Sequence, residues 1–187
     1  MNELTNAYNC LEKGGIILYP TDTIWGIGCK TTDAQAIQKI YALKQRPDHK
    51  AFIVLVDTIE RLLWHVPDLS DELKTLLTTT SRPTSVIYSN PQNLPQNILA
   101  EDGSIAIRIV QQNFCQELIK KIDVPLISTS ANISGESNAR FFKDISPVIK
   151  TGVDYVVDAT LFPDAENPQS SQILKLSDTG ELIVLRK

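Results

Sequence analysis

The sequence predicts an α/β fold built on one sheet that is not purely parallel. Short apolar runs that are typical of buried strands, such as 52–56, alternate with stretches whose apolar residues have helical spacing. From residue 84 onward, strand-like segments also follow one another closely, which indicates antiparallel neighbours. With 187 residues, 42% of them hydrophobic, and no repeat or Gly/Ser linker, the chain is expected to form one domain over 1–187.

The first half of the chain predicts alternating helices and strands. The predicted elements are a helix over 4–13, a strand over 15–19, a helix that ends near 44, a strand over 52–56 and weaker helices around 59–63 and 70–77. Gly14-Gly15 marks the end of the first helix, and Pro20 closes the first strand. Thr32 and Gln35 form a capping box for the second helix, which Pro47 prevents from extending far beyond Lys44.

The second half is predicted to be richer in strands. Strands are expected over 84–88, 104–109, 125–128, 155–157, 173–176 and 182–185, with one helix over 113–121. The Pro- and Asn-rich segment 90–97 predicts a long surface loop between the first two of these strands. The whole chain is thus expected to contain about eight or nine strands and about five helices.

Composition excludes several classes of protein. The 18 Lys and Arg residues against 22 Asp and Glu give a net charge of −4, which argues against a generally basic nucleic-acid-binding surface. Cys10, Cys29 and Cys115 are far apart and without CxxC spacing, so neither a disulfide framework nor a zinc site is expected, and a cytoplasmic location fits best. No apolar run approaches the ~20 residues of a membrane span, so no membrane association is expected.

Three segments concentrate hydroxyl, amide or cationic side chains next to predicted strands or helices, where α/β proteins bind ligands. They are 19–28, 43–50 and 128–135. Each also has a purely structural interpretation: a hydrogen-bonded turn beside a packed Trp25, helix-dipole complementation by Lys44, and Ser and Asn side chains bonded to their own backbone. The stretch 35–56 has four cations against one anion, a local charge of +3 that suits a polyphosphate.

Other catalytic constellations are weak in this sequence. His49 and His65 are the only histidines, and His65 is expected to be a surface or packing residue. The acidic pairs at 71–72 and 101–102 lie in polar segments and are expected to be solvated. No spacing of His, Cys, Asp or Glu predicts a metal site, and neither a Walker loop nor a dinucleotide fingerprint occurs.

Taken together, Tyr19-Pro20-Thr21-Asp22-Thr23 with Trp25-Gly26, Lys44-Gln45-Arg46-Pro47, and Ser128-Thr129-Ser130-Ala131-Asn132-Ile133-Ser134-Gly135 resemble the signature of the YrdC/Sua5 family. The order and spacing match along most of the chain, and the combination of Lys-x-Arg with a later Ser-x-Asn is specific. The resemblance implies the short, single-domain type of the family. Its fold is a twisted mixed sheet flanked by helices, with a concave ligand-binding face.

The family resemblance implies an activity, that of a threonylcarbamoyl-AMP synthase. Such a nucleotidyltransferase joins L-threonine, bicarbonate and ATP, with Mg²⁺ accompanying the nucleotide, and releases pyrophosphate. The product supplies the N6-threonylcarbamoyl group (t6A) of adenosine 37 in tRNA. The implied partners are proteins of the t6A transferase complex, with weak binding of tRNA or double-stranded RNA. No protein nucleophile is required, because a carbamate oxygen attacks the α-phosphorus.

The resemblance also assigns site residues. The implied catalytic set is Lys44, Arg46, Ser130 and Asn132. The implied ATP-binding set is Arg46, Lys50, Ser104, Ser130, Asn138 and Arg186, and the implied threonine-binding set is Thr23, Arg108 and Ser128. Independently of the family, Arg108 lies in the apolar strand 105–109, where a guanidinium needs an anionic partner. That partner is either a ligand carboxylate or an internal Asp or Glu.

The chain departs from the family pattern at several positions that bear on substrate contacts. Leu55 stands where many members have a His near the threonine, and Ser170-Ser171-Gln172-Ile173 replaces the common Ser-Thr-Val, which bears on contacts at Ser171 and Gln172. Two other interpretations stay open. One is a noncatalytic RNA- or nucleotide-binding protein of the same fold, and the other is a domain that handles carbamoyl phosphate, like the related module of hydrogenase maturation factors.

Overall fold

A nine-stranded mixed sheet organises the computed structural model, which describes residues 2–45, 52–166, 168–177 and 179–187. The strands are β1 Ile17–Tyr19, β2 Gly26–Lys30, β3 Ile53–Val56, β4 Thr84–Tyr88, β5 Ile105–Ile109, β6 Leu126–Ser130, β7 Tyr155–Val156, β8 Gln172–Leu176 and β9 Leu182–Arg186. Their order in the sheet is β7-β1-β2-β6-β3-β5-β4-β8-β9. Only three of the eight neighbouring pairs, β1–β7, β3–β5 and β4–β8, are parallel, so the predicted mixed sheet is confirmed.

Six α-helices accompany the sheet in the described ranges. They are α1 Glu3–Glu12, α2 Ala34–Lys44, α3 Ile59–His65, α4 Asp71–Thr79, α5 Asn113–Ile122 and α6 Pro147–Gly152, with short 3₁₀ turns at Gln96–Ile98 and Phe142–Asp144. Helix α1 packs on α5, and α3 and α5 contact β3. None of the helices in the described part of the chain is both long and apolar enough to span a membrane.

The two faces of the sheet differ because strand side chains alternate. Ile27, Ile127, Val54 and Ile107 occupy one face, and each is at most 1% exposed. The strand register places Ser128 and Ile53 opposite each other on the other face, which also carries Arg108 and Ser130. The polar groups predicted to bind ligands therefore share the face that is not filled by this aliphatic core.

Strand β2 was not predicted, because Gly26-Ile27-Gly28 has the composition of a turn. The structure explains both glycines. A Cβ on Gly28 would collide with the carbonyl oxygen of Ile127 and would lie 2.8 Å from the ring of Tyr19. A Cβ on Gly26 would lie 3.1 Å from the hydroxyl oxygen of Ser128. The glycines thus allow β2 to run between β1 and β6 beneath bulky or polar side chains.

Three further details of the structure differ from what the sequence analysis gave. Asp33, and not Thr32, caps α2, since its Oδ1 atom accepts from the backbone N–H of Ala36 at 2.9 Å. Helix α6 was missed although Ser146 caps it and Pro147 occupies its first turn. Strand β6 continues through Ser130, so the hydroxyls expected in a turn belong largely to the strand. The end of α2 at Lys44 is confirmed, with Gln45 as a left-handed cap.

The Gly28 contacts predict a large loss of stability for Gly28→Ala. Backbone and a buried ring surround this position, so neither neighbour can move easily, and overpacking of this kind costs roughly 1–3 kcal/mol. Chemical denaturation of the two proteins measures the difference. Gly26→Ala is the matched control in the same strand, because the Ser128 side chain can rotate away and the expected loss is below about 1 kcal/mol. Equal losses in the two variants would contradict this account.

Candidate active site

A cavity of about 270 Å³ lies over the polar face of the sheet. Its lining consists of hydroxyl, amide, guanidinium and apolar side chains: Thr21, Thr23, Ile24, Trp25, Gly26, Phe52, Ile53, Arg108, Ser128, Thr129, Ser130, Asn138, Ser170, Ser171, Ile173 and Arg186. Six of the residues that the sequence analysis assigned to substrates are in this set, namely Thr23, Arg108, Ser128, Ser130, Asn138 and Arg186. The fold thus gathers residues that are up to 163 positions apart.

The turn that follows β1 forms one wall of the cavity. The Thr21 hydroxyl donates to the Ile24 carbonyl at 2.7 Å and accepts from the Thr23 backbone N–H at 3.1 Å, which closes the turn locally. The hydroxyl oxygens of Thr21 and Thr23 are 2.8 Å apart. Trp25 then donates its indole N–H to Asp164 at 2.8 Å and packs against Phe142, with ring centroids 4.7 Å apart and ring planes tilted by 55°. The expected turn with a packed Trp25 is confirmed, and it also lines the cavity.

Arg108 forms a buried ion pair at the cavity. Its Nη2 atom lies 3.0 Å from Oδ1 of Asp22, and only 4% and 8% of the two side chains are exposed. The other Asp22 oxygen accepts from the backbone N–H of Gln111 at 3.1 Å. The Nε atom of Arg108 is a buried donor with no partner among the described residues. Of the two partners considered from sequence, the internal carboxylate is present, and one donor is left for a ligand.

A second guanidinium approaches the same cavity from β9. Arg186 donates to the carbonyl oxygen of Ser171 from Nε at 3.0 Å and from Nη2 at 2.8 Å. Partial burial and the neighbouring charge of Arg108 lower the pKa of Arg186. Two like charges close together favour an anion between them, so this end of the cavity suits a carboxylate or a phosphate.

Lys44 is not in the cavity lining but contacts the end of β6, which is part of that lining. Its side chain is buried, and Nζ donates to the carbonyl oxygens of Ser130 at 2.5 Å and Asn132 at 2.6 Å. The Lys44 carbonyl in turn accepts from the backbone N–H of Ser134 at 2.8 Å. Lys44 therefore ties the end of α2 to the loop that follows β6.

Asn132 organises that same loop. Its amide donates to the carbonyl oxygens of Ile133 and Glu136, and its Oδ1 atom accepts from the Ser130 hydroxyl at 2.5 Å. The structural interpretation of this segment, with side chains bonded to their own backbone, thus applies to Asn132. The Ser130 side chain is oriented by it and reaches the cavity.

Of the remaining predicted residues, Ser104 is described by the structure and is not in the cavity lining. Ser104 donates both its N–H and its hydroxyl to Oδ1 of Asp102, which lowers the pKa of that carboxyl. Arg46 and Lys50 lie outside the described residues.

The other positions singled out in the sequence have packing or hydrogen-bonding roles. Leu55 is fully buried, and Gln172 donates to the hydroxyl oxygen of Thr84 at 2.6 Å. The packing role of His65 is confirmed, since its ring is buried with Nδ1 2.9 Å from the Gln92 carbonyl oxygen and burial lowers its pKa.

Several site residues were missed from sequence. Asp22 was part of a recognised motif, but its pairing with Arg108 is a contact across 86 positions that no local pattern reveals. The sequence marked Ser171 only as a departure from the family pattern. In the structure its carbonyl oxygen accepts from Arg186, and its hydroxyl oxygen is 2.9 Å from that of Ser85. Phe52 and Ile53, which were expected only as part of a buried strand, add to the apolar lining beside Trp25.

The donor set of the cavity fits a nucleotide-bound metal better than a metal held by the protein. Its described lining contains hydroxyls and amides but no carboxylate, and no cluster of three His, Cys, Asp or Glu side chains occurs in the described ranges. Mg²⁺ prefers phosphate oxygens, carboxylates and water. A Mg²⁺ ion at this cavity would therefore be held chiefly by nucleotide phosphates and water.

Comparison with known proteins gives a consistent result. The model of the Sua5/YciO/YrdC family, described as "Telomere recombination", matches residues 9–187. A threonylcarbamoyl-AMP synthase of Acinetobacter baumannii is 31% identical over 187 residues, which cover 96% of each chain. One from Pseudoalteromonas translucida is 31% identical over 158 residues, or 83% of this chain and 84% of the relative.

Solved structures share the fold. P. abyssi Sua5 complexed with L-threonine superposes with a TM-score of 0.84 at 20% identity, covering all of this chain and 54% of that chain. This chain thus spans about half the length of that Sua5 protein. E. coli YciO superposes with a TM-score of 0.80 at 22% identity, covering 98% and 88% of the two chains. The predicted twisted mixed sheet flanked by helices is confirmed by these likenesses.

Proposed function

Because this chain belongs to the Sua5/YciO/YrdC family of enzymes, we propose that it forms threonylcarbamoyl-AMP from L-threonine, bicarbonate and ATP with release of pyrophosphate. Two of its curated relatives are named threonylcarbamoyl-AMP synthase, and the similarity covers most of the length of both. The product would serve t6A modification of tRNA. This role requires transfer of a small adenylate, and so an acidic chain can serve it without a basic RNA-binding surface.

The observation that carries the proposal is one cavity that brings together the predicted threonine-binding set and three of the six predicted ATP-binding residues. Thr23, Arg108 and Ser128 would bind threonine, and Ser130, Asn138 and Arg186, which line the same cavity, would bind the nucleotide. Arg108 offers its free Nε donor to the threonine carboxylate, while Asp22 neutralises part of its charge. The hydroxyl and amide groups offer hydrogen bonds to the substrate hydroxyl, ribose and phosphate oxygens.

The chemistry needs positioning more than a protein nucleophile. The threonine amine attacks CO₂ with release of a proton, or bicarbonate with loss of water, and forms a carbamate. A carbamate oxygen then attacks the α-phosphorus while pyrophosphate leaves. Holding both substrates on one sheet face would supply the alignment, and the guanidinium of Arg186 would stabilise the charge on the phosphate oxygens. Mg²⁺ bound to the nucleotide would neutralise phosphate charge. Lys44 and Asn132 would contribute by holding the end of β6 and the loop that follows it.

The proposal is tested by incubating the purified protein with ATP, Mg²⁺, threonine and bicarbonate. We expect pyrophosphate release that requires both threonine and bicarbonate, and a threonylcarbamoyl adenylate detected by mass spectrometry. Serine in place of threonine measures selection for the substrate methyl group. Absence of product with folded protein would contradict the proposal. Salt-dependent tRNA binding without adenylate formation would favour the noncatalytic alternative.

A further inference from the structure

Strand β9 is an edge strand with apolar side chains exposed along its length. It pairs with β8 on one side and is the last strand in the sheet order. Leu182, Ile183, Val184 and Leu185 are 37%, 49%, 54% and 55% exposed, so both faces of the strand are apolar and open. The backbone groups on its outer side point away from β8, and no described strand pairs with them.

Such an edge differs from the edges of most soluble proteins. Exposed edge strands usually carry inward-pointing charges, prolines or β-bulges, or a helix or loop covers them, because a bare apolar edge pairs with other chains. Strand β9 has one irregularity of this kind, a shift of its register with β8 at Leu185. The four central residues of β9 include no charge and no proline. Charges occur only at the two ends, with Glu181 before the strand and Arg186 and Lys187 at its close.

The charge pattern makes β9 complementary to itself in the antiparallel direction. We propose that β9 pairs with β9 of a second copy of this chain about a two-fold axis at Val184. This register places Glu181 opposite Lys187 and Ile183 opposite Leu185, with Val184 opposite its own counterpart. A parallel register would place Glu181 beside Glu181. Arg186 remains engaged with Ser171, so the ion pair between copies uses Lys187.

The pairing is tested by sedimentation over a range of protein concentrations, which requires no substrate and is independent of the proposed reaction. We expect a concentration-dependent dimer, and Val184→Lys should raise its Kd at least about 10-fold because two lysines would face each other. Val184 is half exposed and outside the cavity lining, so the monomer should tolerate the change. Val148→Lys on α6 is the matched control at 56% exposure and should leave the Kd unchanged.

A charge exchange tests the register itself. Glu181→Lys and Lys187→Glu should each weaken the dimer by roughly 3–10-fold, and the double variant should restore it. Retained circular dichroism spectra would show that the variants fold. A chain that stays monomeric at all concentrations overturns the proposal. A dimer that Val184→Lys leaves intact also overturns it, because the copies would then meet through another surface.

Discussion

Arg108→Gln is expected to lower the threonine-dependent kcat/KM at least about 100-fold, which corresponds to about 2.7 kcal/mol of transition-state stabilisation. The substitution removes the guanidinium that would bind the threonine carboxylate at the buried end of the cavity. We expect most of the loss in the KM for threonine, whereas the Kd for ATP should change by less than about 3-fold. Steady-state pyrophosphate release and nucleotide binding measure the two effects.

A buried ion pair complicates this experiment, and the chain offers a control for it. Arg108→Gln leaves the Asp22 carboxylate buried without its cation, which is expected to cost about 3–5 kcal/mol of folding stability. Asp22→Asn combined with Arg108→Gln removes both charges and should recover much of that stability. Activity should not recover in the double variant. Recovery of threonine-dependent activity would show that Arg108 acts through folding and not through the substrate.

Lys44→Met is expected to disorder the loop after β6 and to lower kcat/KM for ATP by roughly 10–100-fold. The variant leaves the carbonyl oxygens of Ser130 and Asn132 without the buried ammonium, and each unsatisfied acceptor costs about 1–3 kcal/mol. Hydrogen exchange at the amide of Ser134, which donates to the Lys44 carbonyl, reports the loosening. Faster exchange at this amide together with lower activity would support a positioning role for Lys44.

Lys39→Met is the matched control on the same helix. Lys39 is half exposed and donates to the Gly14 carbonyl and, at 3.5 Å, to Asp154, so its removal should cost less than about 1 kcal/mol. Its activity and its Ser134 exchange should match those of the unmodified protein. If Lys44→Met impairs ATP binding while the loop exchanges at its normal rate, Lys44 contacts the phosphates directly and the positioning role is wrong.

Local sequence patterns were sufficient to locate most helices and strands, but they did not reveal which residues of other elements each one contacts. Apolar runs and helical spacing located eight of the nine strands, because burial imposes those periods. They missed β2, because its glycines are required by the close approach of Tyr19 and Ser128 on neighbouring strands. They also placed the α2 cap one residue early, since Thr32 and Asp33 are both good caps and only the backbone geometry chooses between them.

The same limit applies to the site. The motif resemblance was sufficient to predict that Thr23, Ser128 and Arg108 lie at a binding site. For Arg108, the improbable charge in an apolar strand pointed the same way. The pairing of Arg108 with Asp22 could not, because it depends on how the turn after β1 is placed relative to β5. Lys44 was recognised by its motif, but its direction toward two carbonyl oxygens follows from the approach of α2 to the end of β6.

The bond between Trp25 and Asp164 has a consequence for the order of assembly during synthesis. The cavity wall at Trp25 is held by a residue made 139 positions later, β1 pairs with β7, and Arg186 must still pair with Ser171. Such distant contacts form late, because loop closure has to precede them. A nascent chain that already displays all three family motifs would therefore still lack a complete binding cavity until β9 has left the ribosome.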